Sequence, residues 1–409
     1  MEDKQIPAGW EENNFGALII EKPKSHLKVS DAAGFGKFPF FTSGEAILVH
    51  NKQQIDGKNL FLATGGVANV KYYNGEVSYS TDTYALTSLD TDLKYLYYFL
   101  LNNLYYVNSN YFLGSGLKHL QKKDLKNHAF LLPKSTIEQK KIAEILCKID
   151  TAIEQTQNLI AKYLRIKKGL MQDLLTKGID ENGNIRNEET HEFKDSELGR
   201  IPKEWECLEL EKCCSKIQDG THFSPKTDKN GKYKYLTSKN IRFGYLDLNN
   251  IEYLNEDAHS LIYKSCPVKL GDVLLTKDGA NTGNICINTL KEEFSLLSSV
   301  AMIRGKEHLL INDYIVQFFM EEKGQKSLVD QMSGNAITRI TLTKINKTLI
   351  SFPEETEQKK IIEILKQKDS LTLDEKAKLK KLNNLKTALM QDLLSGKKRV
   401  TNLIKENAL

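Results

Sequence analysis

Two stretches of the chain place apolar side chains at alternating steps of four and three. From Ile142 the spacing runs through Leu146, Ile149, Ile153, Thr156, Ile160, Tyr163, Lys167, Leu170 and Leu174, which is eight apolar positions in ten. Such a stripe is the seam a helix presents to a partner helix. Pro133, then Ser135 with Glu138 three residues later, signal a capping-box start, and Lys177-Gly178 signals a stop. At about 1.5 Å per residue, roughly 40 residues make a rod of about 60 Å. A second stripe runs through Ile361, Leu365, Leu379, Leu382, Leu389 and Leu393, with Lys368, Thr372 and Glu375 as its polar centre.

The two stripes belong to an internal repeat. Glu138-Gln139-Lys140-Lys141-Ile142 returns as Glu357-Gln358-Lys359-Lys360-Ile361, and Leu170-Met171-Gln172-Asp173-Leu174-Leu175 returns as Leu389-Met390-Gln391-Asp392-Leu393-Leu394. Both offsets are 219 (357 − 138 and 389 − 170), and residues 138–175 share 17 of 38 positions with 357–394. An ungapped match whose middle has diverged points to a rigid, length-sensitive element. The tryptophans give a second marker: Pro7-Ala8-Gly9-Trp10-Glu11 and Pro202-Lys203-Glu204-Trp205-Glu206 are offset by 195. Each helix follows an equivalent head, so the intervening chain must return and the two helices are expected to pair antiparallel.

The heads read differently. Lys71 to Tyr79, with Asn74-Gly75 inside, has the pattern of a β-hairpin. In the second head Asn230-Gly231 marks a turn, and Val273-Leu274-Leu275 and Ile285-Cys286-Ile287 read as strands around Lys277-Asp278-Gly279. Each head ends in an aromatic helical run, Asp92 to Leu101 and Asp313 to Met320, followed by a glycine turn at Gly114 or Gly334. Residues 179–198 hold seven acidic and two basic side chains and read as an exposed linker. The expected fold is α+β: two mixed α/β heads joined by two long antiparallel α-helices, related by a pseudo-two-fold repeat. The expected order is head 1–133, helix 134–178, acidic linker 179–200, head 201–353, helix 354–400 and tail 401–409.

Composition narrows the class. The 409 residues are 40% hydrophobic and 27% charged, enough for two or three domains with their own cores. Six cysteines without a CxxC pair argue against a zinc ribbon or a secreted disulfide framework. Residues 1–7 have no apolar targeting core and the longest apolar run, Tyr95 to Leu101, is too short to span a bilayer, so no membrane and a cytoplasmic location are expected. The net charge of 58 − 53 = +5 is concentrated: residues 355–409 hold 13 basic and 8 acidic side chains, and residues 138–178 hold 8 and 5. The surplus on the helices suits either nucleic acid or simply the solvated faces of long helices.

Catalytic signatures are missing from the sequence. The eight prolines are never adjacent, which removes the Asn-Pro-Pro-Tyr type of amino-methyltransferase loop, and none precedes aspartate as in the simplest nuclease pattern. None of the five Gly-Lys pairs is followed by Ser or Thr, so there is no P-loop. The eight histidines lack metal-ligand spacing, and Cys213-Cys214 reads as small apolar packing. Glu138-Gln139-Lys140 is a Glu-x-Lys, but in a first helical turn, where an acid suits the dipole. What remains is a non-catalytic binding protein with two similar heads, suited to a target in two parts such as duplex DNA.

The Pro-x-x-Trp-Glu openings, the Glu-Gln-Lys-Lys-Ile-x-Glu-Ile-Leu helix starts, the Leu-Met-Gln-Asp-Leu-Leu helix ends and the segment Thr176-Lys177-Gly178-Ile179-Asp180-Glu181-Asn182-Gly183 together resemble the specificity subunit of type I restriction-modification systems. The resemblance covers nearly the whole chain. It implies two target-recognition domains that each read half of a split, asymmetric DNA sequence, with helical conserved regions setting the unread spacer. It also implies docking of two modification subunits, which methylate adenine, and through them restriction subunits. No cofactor is then expected on this chain; S-adenosylmethionine, ATP and magnesium belong to the partners. A fused restriction-methylation system, or a coiled-coil interaction protein without a DNA role, are the other readings.

Base-reading residues do not transfer within such a family, so candidates rest on physics: polar and basic side chains in glycine-rich loops, where backbone can approach DNA. In the first head these are Lys37, Thr42, Ser43, Lys71 and Tyr72. In the second they are Gln218, Thr221, His222, Lys226, Ser238, Lys239, Asn240, Lys277, Asn281 and Arg339. Each is equally compatible with a surface turn. Tyr97, Tyr98, Phe318 and Phe319 are expected in the cores.

Overall fold

A computed structural model describes residues 6–332 and 338–406. Gly334, the opening residues 1–5 and the last three residues of the tail lie outside the described residues. The chain divides into two compact units, residues 1–158 with 375–409, and residues 159–374. Each long helix, Thr136–Leu174 and Glu355–Leu394, contributes one half to each unit.

The heads repeat one topology. In the first unit the strands Ile20–Glu21, Thr83–Thr87, Lys58–Ala63 and Val70–Asn74 form a four-stranded antiparallel sheet in that order. In the second, Cys214–Asp219, Val300–Gly305, Val273–Thr276 and Ile285–Ile287 do the same. A three-stranded sheet accompanies each: Leu48–His50, Phe38–Phe41 and Ser78–Tyr79 in one, Glu252–Leu254, Tyr233–Leu236 and Phe294–Leu296 in the other. Its second pair is parallel in both heads. A strand carrying or following the tryptophan then closes on the strand before the long helix, Trp10–Asn14 on Ala129–Pro133 and Glu206–Glu209 on Leu349–Phe352. The repeat thus extends through regions where side chains no longer show it.

The expected hairpin from Lys71 to Tyr79 does not form. Val70–Asn74 pairs with Lys58–Ala63, while Ser78–Tyr79 runs parallel to Phe38–Phe41 in the other sheet. The Asn74-Gly75 turn carries the chain from sheet to sheet, with Gly75 donating its N–H to Gly57 at 3.2 Å. Alternation and turn chemistry identify strands; partners are chosen by the tertiary core.

The helices pair antiparallel, as the contacts inside each unit show. Lys386 meets Asp150 at 2.6 Å in the first unit, and Lys167 meets Asp369 at 2.6 Å in the second. Both pairs sum to 536 (386 + 150 and 167 + 369), and each is the other's image under the 219-residue repeat. Of the stripe, Ile142, Leu146, Ile160, Leu174, Ile361, Leu365 and Leu393 are buried, and Ile149, Ile153, Tyr163, Leu170, Leu379, Leu382 and Leu389 are half-buried. The polar centre stays on the seam: Thr372 is buried, with its hydroxyl returned to the Lys368 carbonyl at 2.8 Å.

The repeated Glu-Gln-Lys-Lys-Ile string has a structural reason at each position. Gln139 accepts from the Asp92 N–H at 2.8 Å and donates to the Pro133 carbonyl at 2.8 Å. Gln358 accepts from the Ile311 N–H at 2.9 Å and donates to the Pro353 carbonyl at 2.9 Å. Each buried amide therefore fixes the helix start to the aromatic helix of its head. The lysines face outward, and the isoleucine enters the core with Ala143 and Leu146, or with Ile362 and Leu365. The expected capping box is only half made. Ser135 Oγ accepts from the Glu138 N–H at 3.4 Å, but the Glu138 carboxylate turns to the Arg399 guanidinium at 2.6 and 2.7 Å. A charge-assisted, two-pronged partner outcompetes the helix's own amide.

Its counterpart Glu357 holds Arg186 at 2.6 and 2.9 Å and accepts from the Ile179 N–H at 2.9 Å. The acidic linker is accordingly anchored: Ile179 is buried, and Phe193–Ser196 pairs with Gly199–Pro202, although most of its side chains are exposed. Gly178, at φ +66°, stands against Trp205, where an added Cβ would lie 2.6 Å from the indole and 2.2 Å from Glu357 Oε1. Gly396, at φ +74°, meets Trp10 in the same way in the first unit. Glycine alone satisfies both the left-handed turn and the close approach.

Candidate nucleic-acid interface

The first head carries a cleft of about 730 Å³ lined by Ser43 to Glu45, Thr64 to Asn69, Asp82, Leu117 and His119. Its floor is made where the strand Lys58–Ala63 ends in Gly65-Gly66, with Gly66 at φ +81°. One sequence candidate, Ser43, lines it, and two others, Thr42 and Lys71, hold the loop 42–44 beside it. Ser43 Oγ accepts from the Thr64 N–H at 3.0 Å, and Thr42 Oγ1 accepts from the Gly44 N–H at 3.2 Å. Lys71 Nζ donates to the Thr42 carbonyl at 3.1 Å, to Asn69 Oδ1 at 3.0 Å and to the Gly44 carbonyl. Burial holds this ammonium below the ordinary lysine range. Its three donors are all used, so Lys71 braces the loop 42–44. Lys71→Met, which keeps length and removes the donors, is expected to cost about 1 kcal/mol and to speed hydrogen exchange at residues 42–45 relative to the rest of the head.

The other two candidates lie elsewhere. Lys37 is exposed, its ammonium 5.2 Å from the Phe38 ring. Tyr72 points to the opposite face of the strand from Lys71, its ring 6.3 Å from Tyr97 and 5.3 Å from Lys94 Nζ, and burial pushes its phenol up.

In the second head a chain of polar and charged side chains runs along the equivalent loops. Lys277, 1% exposed, places Nζ 3.3 Å from Asp219 Oδ2 and 3.0 Å from Asp278 Oδ2. His222 Nε2 lies 3.1 Å from Asp219 Oδ2, and Arg339 Nε 3.0 Å from Asp278 Oδ1. The buried lysine is the hub, with its charge balanced by the two aspartates, while His222 and Arg339 are exposed at the ends. Asn281 Nδ2 donates to the Ser238 carbonyl at 3.3 Å, and the Ser238 N–H donates to Ser299 Oγ at 3.1 Å. Thr221 closes a turn on the Phe223 N–H at 3.3 Å. The structure therefore brings Thr221, His222, Ser238, Lys277, Asn281 and Arg339 into one region. Lys226 and Lys239 are exposed on neighbouring loops, and Gln218 is half-buried on the strand Cys214–Asp219. Asn240 is buried, accepts from the Thr237 N–H at 3.0 Å and donates to the Asp247 and Asn250 carbonyls, so it shapes its loop and has no donor left for a base.

Sequence reasoning passed over His119, Asn69 and Gly65-Gly66. Asn69 Nδ2 donates to the Ser43 carbonyl at 2.6 Å and ties the glycine turn to the opposite loop. The available signal was Gly114-Ser115-Gly116 just before Lys118-His119, a glycine-rich approach with a basic pair. Tyr98, Phe318 and Phe319 are buried and Tyr97 half-buried. Among the described residues there is no group of three or more His, Cys, Asp or Glu placed to hold a metal, and no helix is long and apolar enough to cross a membrane.

A second pair of surfaces flanks the helix starts. A groove of about 600 Å³ in the first unit is lined by Asp92, Lys94, Lys140, Ala143, Glu144 and Cys147, among others. One of about 620 Å³ in the second is lined by Ile311, Asp313, Lys359, Ile362, Glu363 and Lys366. Each of these six positions differs from its counterpart by 219, so the same place is hollow twice.

Comparison with known proteins adds the following. Residues 7–162 and 202–384 match the family described as Type I restriction modification DNA specificity domain. The chain is 28% identical over 420 residues to the Type I restriction enzyme MjaVIII specificity subunit of Methanocaldococcus jannaschii, covering 98% of this chain and 96% of that one. Among solved structures it is similar to the Type-I restriction-modification system S subunit from M. genitalium, with TM-score 0.63 and 14% identity over 96% of this chain and 97% of that one. It is also similar to a chain of the type I R-M system solved to explain complex assembly and conformational transition, with TM-score 0.52 and 14% identity over 96% and 99%.

Proposed function

The chain belongs to the Type I restriction modification DNA specificity domain family, and from that premise we propose that it reads a bipartite DNA target, one half-site per head, without itself catalysing a reaction. It is the specificity subunit of a type I restriction-modification system. The observation that carries the finer reading is the duplicated head. The same four-stranded and three-stranded sheets end twice in polar, glycine-rich loops, and the two loop sets differ in chemistry: an open cleft over Gly65-Gly66 in one, a His222–Asp219–Lys277–Asp278–Arg339 chain in the other. Equal frames with unequal loops suit an asymmetric target.

The long helices set the unread spacer between half-sites. The two grooves related by the 219-residue repeat support docking of two modification subunits, one per groove, with restriction subunits joining through them. Methyl transfer and its S-adenosylmethionine, and DNA cleavage with its ATP and magnesium, then reside on those partners, in the cytoplasm with the DNA. The test is a map of methylated adenines in the genome with and without this gene. Loss of one bipartite motif is the expected result; an unchanged set of motifs sinks the reading.

A further inference from the structure

We infer that His119 is a specificity-determining residue for the first half-site, occupying the position that Arg339 occupies for the second. This rests on the proposed DNA-reading role and assigns a residue within it.

The equivalence is read from the backbone, since side chains in the heads have diverged. In the first head the strand end Thr64-Gly65-Gly66 is bridged by the segment Lys118-His119-Leu120: the Leu120 N–H donates to the Thr64 carbonyl at 3.0 Å and the Gly66 N–H to the Lys118 carbonyl at 2.9 Å. In the second, Lys277-Asp278-Gly279 is bridged by Thr338-Arg339-Ile340: the Ile340 N–H donates to the Lys277 carbonyl at 2.8 Å and the Gly279 N–H to the Thr338 carbonyl at 3.0 Å. Every pair is offset by 213 on one strand and 220 on the other, so His119 and Arg339 are the same position in the same ladder.

Their surroundings differ in one useful way. Arg339 stands across from Asp278, whose carboxylate holds its Nε. His119 stands across from Gly65, where even an added Cβ would remain 3.7 Å from the imidazole. The exposed His119 ring therefore overhangs a floor of bare backbone at the edge of the cleft, beside the exposed Leu117. Bare backbone lets a base-pair edge approach closely, and the imidazole offers a donor or an acceptor to it. Arg at this position favours guanine O6 and N7 through its two-pronged fork, whereas His reaches one of them. One ladder position with two chemistries gives the two half-sites different preferences.

The experiment uses the assembled complex of this chain with its modification subunits, methylating a library of duplexes randomised across both half-sites. With His119→Ala, discrimination at one base pair of the first half-site is expected to fall by about tenfold, with the second half-site and spacer unchanged. His119→Arg is expected to shift that base pair toward G·C, and Arg339→His to relax one base pair of the second half-site only. If the assembled H119A and H119R complexes keep the parental motif, or if the change falls in the second half-site, the assignment is overturned. A library methylated without sequence preference even by the parental complex would overturn the DNA-reading role beneath it.

Discussion

Replacing Glu357 with alanine is expected to lower the stability of the second unit by about 3–5 kcal/mol, because it strands one member of a buried ion pair. Glu357 and Arg186 are 10% and 11% exposed at the side chain, joined by two hydrogen bonds at 2.6 and 2.9 Å. The same carboxylate accepts the Ile179 N–H and lies against Gly178 and Trp205. Removing it leaves a guanidinium, a backbone donor and a cavity at the junction of linker, helix and head. For a unit of this size each kcal/mol moves the midpoint by about 2–4 °C, so a fall of roughly 6–20 °C is expected by calorimetry. Arg186→Met with Glu357→Leu should recover much of the loss, since neither charge is then left unpaired. A midpoint within about 1 °C of the parent for E357A would show that water or another acceptor satisfies Arg186, and the anchoring role of the pair would be wrong.

Inserting four residues after Thr156 is expected to lengthen the recognised spacer while leaving both half-sites intact. Four helical residues add about 6 Å, which is one or two base pairs of B-DNA at about 3.4 Å each. The parental target should then be lost entirely, not weakened, because discrimination between spacers is geometric. Thr156 lies on the buried stripe, and four residues advance a helix by slightly more than one turn, so the seam Ile160, Tyr163 and Leu170 keeps roughly its face. Methylation mapping reads the outcome. A new half-site with the old spacer would refute the idea that helix length measures DNA.

How much of this was written in the sequence depends on the physics of each element. The long helices were legible because a 3.5-residue stripe needs no partner to be recognised, and their antiparallel pairing followed from chain return. The roles inside Glu-Gln-Lys-Lys-Ile were not, since Gln139 and Gln358 act on backbone groups 47 residues upstream, and Glu138 and Glu357 on arginines 261 and 171 residues away. The hairpin at Lys71 to Tyr79 failed for the same reason: alternation fixes which face is buried, but pairing with Lys58–Ala63 is decided by the sheet as a whole. In the candidate interface, polarity and glycine content found the loops holding Ser43, Thr221, Lys277 and Arg339. They could not tell Asn240, whose amide is consumed by its own loop, from a residue free to meet a base. His119 became visible only when backbone ladders replaced side chains as the basis for comparing the two heads.

The route of the chain through its own cores has a bearing on how it is made. The second unit is a single unbroken stretch, residues 159–374, whereas the first draws Met390, Leu393, Leu394 and Val400 into the core it shares with Ile142 and Leu146. During synthesis the first head is therefore translated first and sealed last. It must wait, with those apolar positions and Glu138 uncovered, while more than 200 further residues are added, roughly ten to forty seconds at ordinary elongation rates. Nascent chains arrested near residue 374 should thus be the aggregation-prone and chaperone-dependent species, with the second unit protease-resistant and the first, although older, still open.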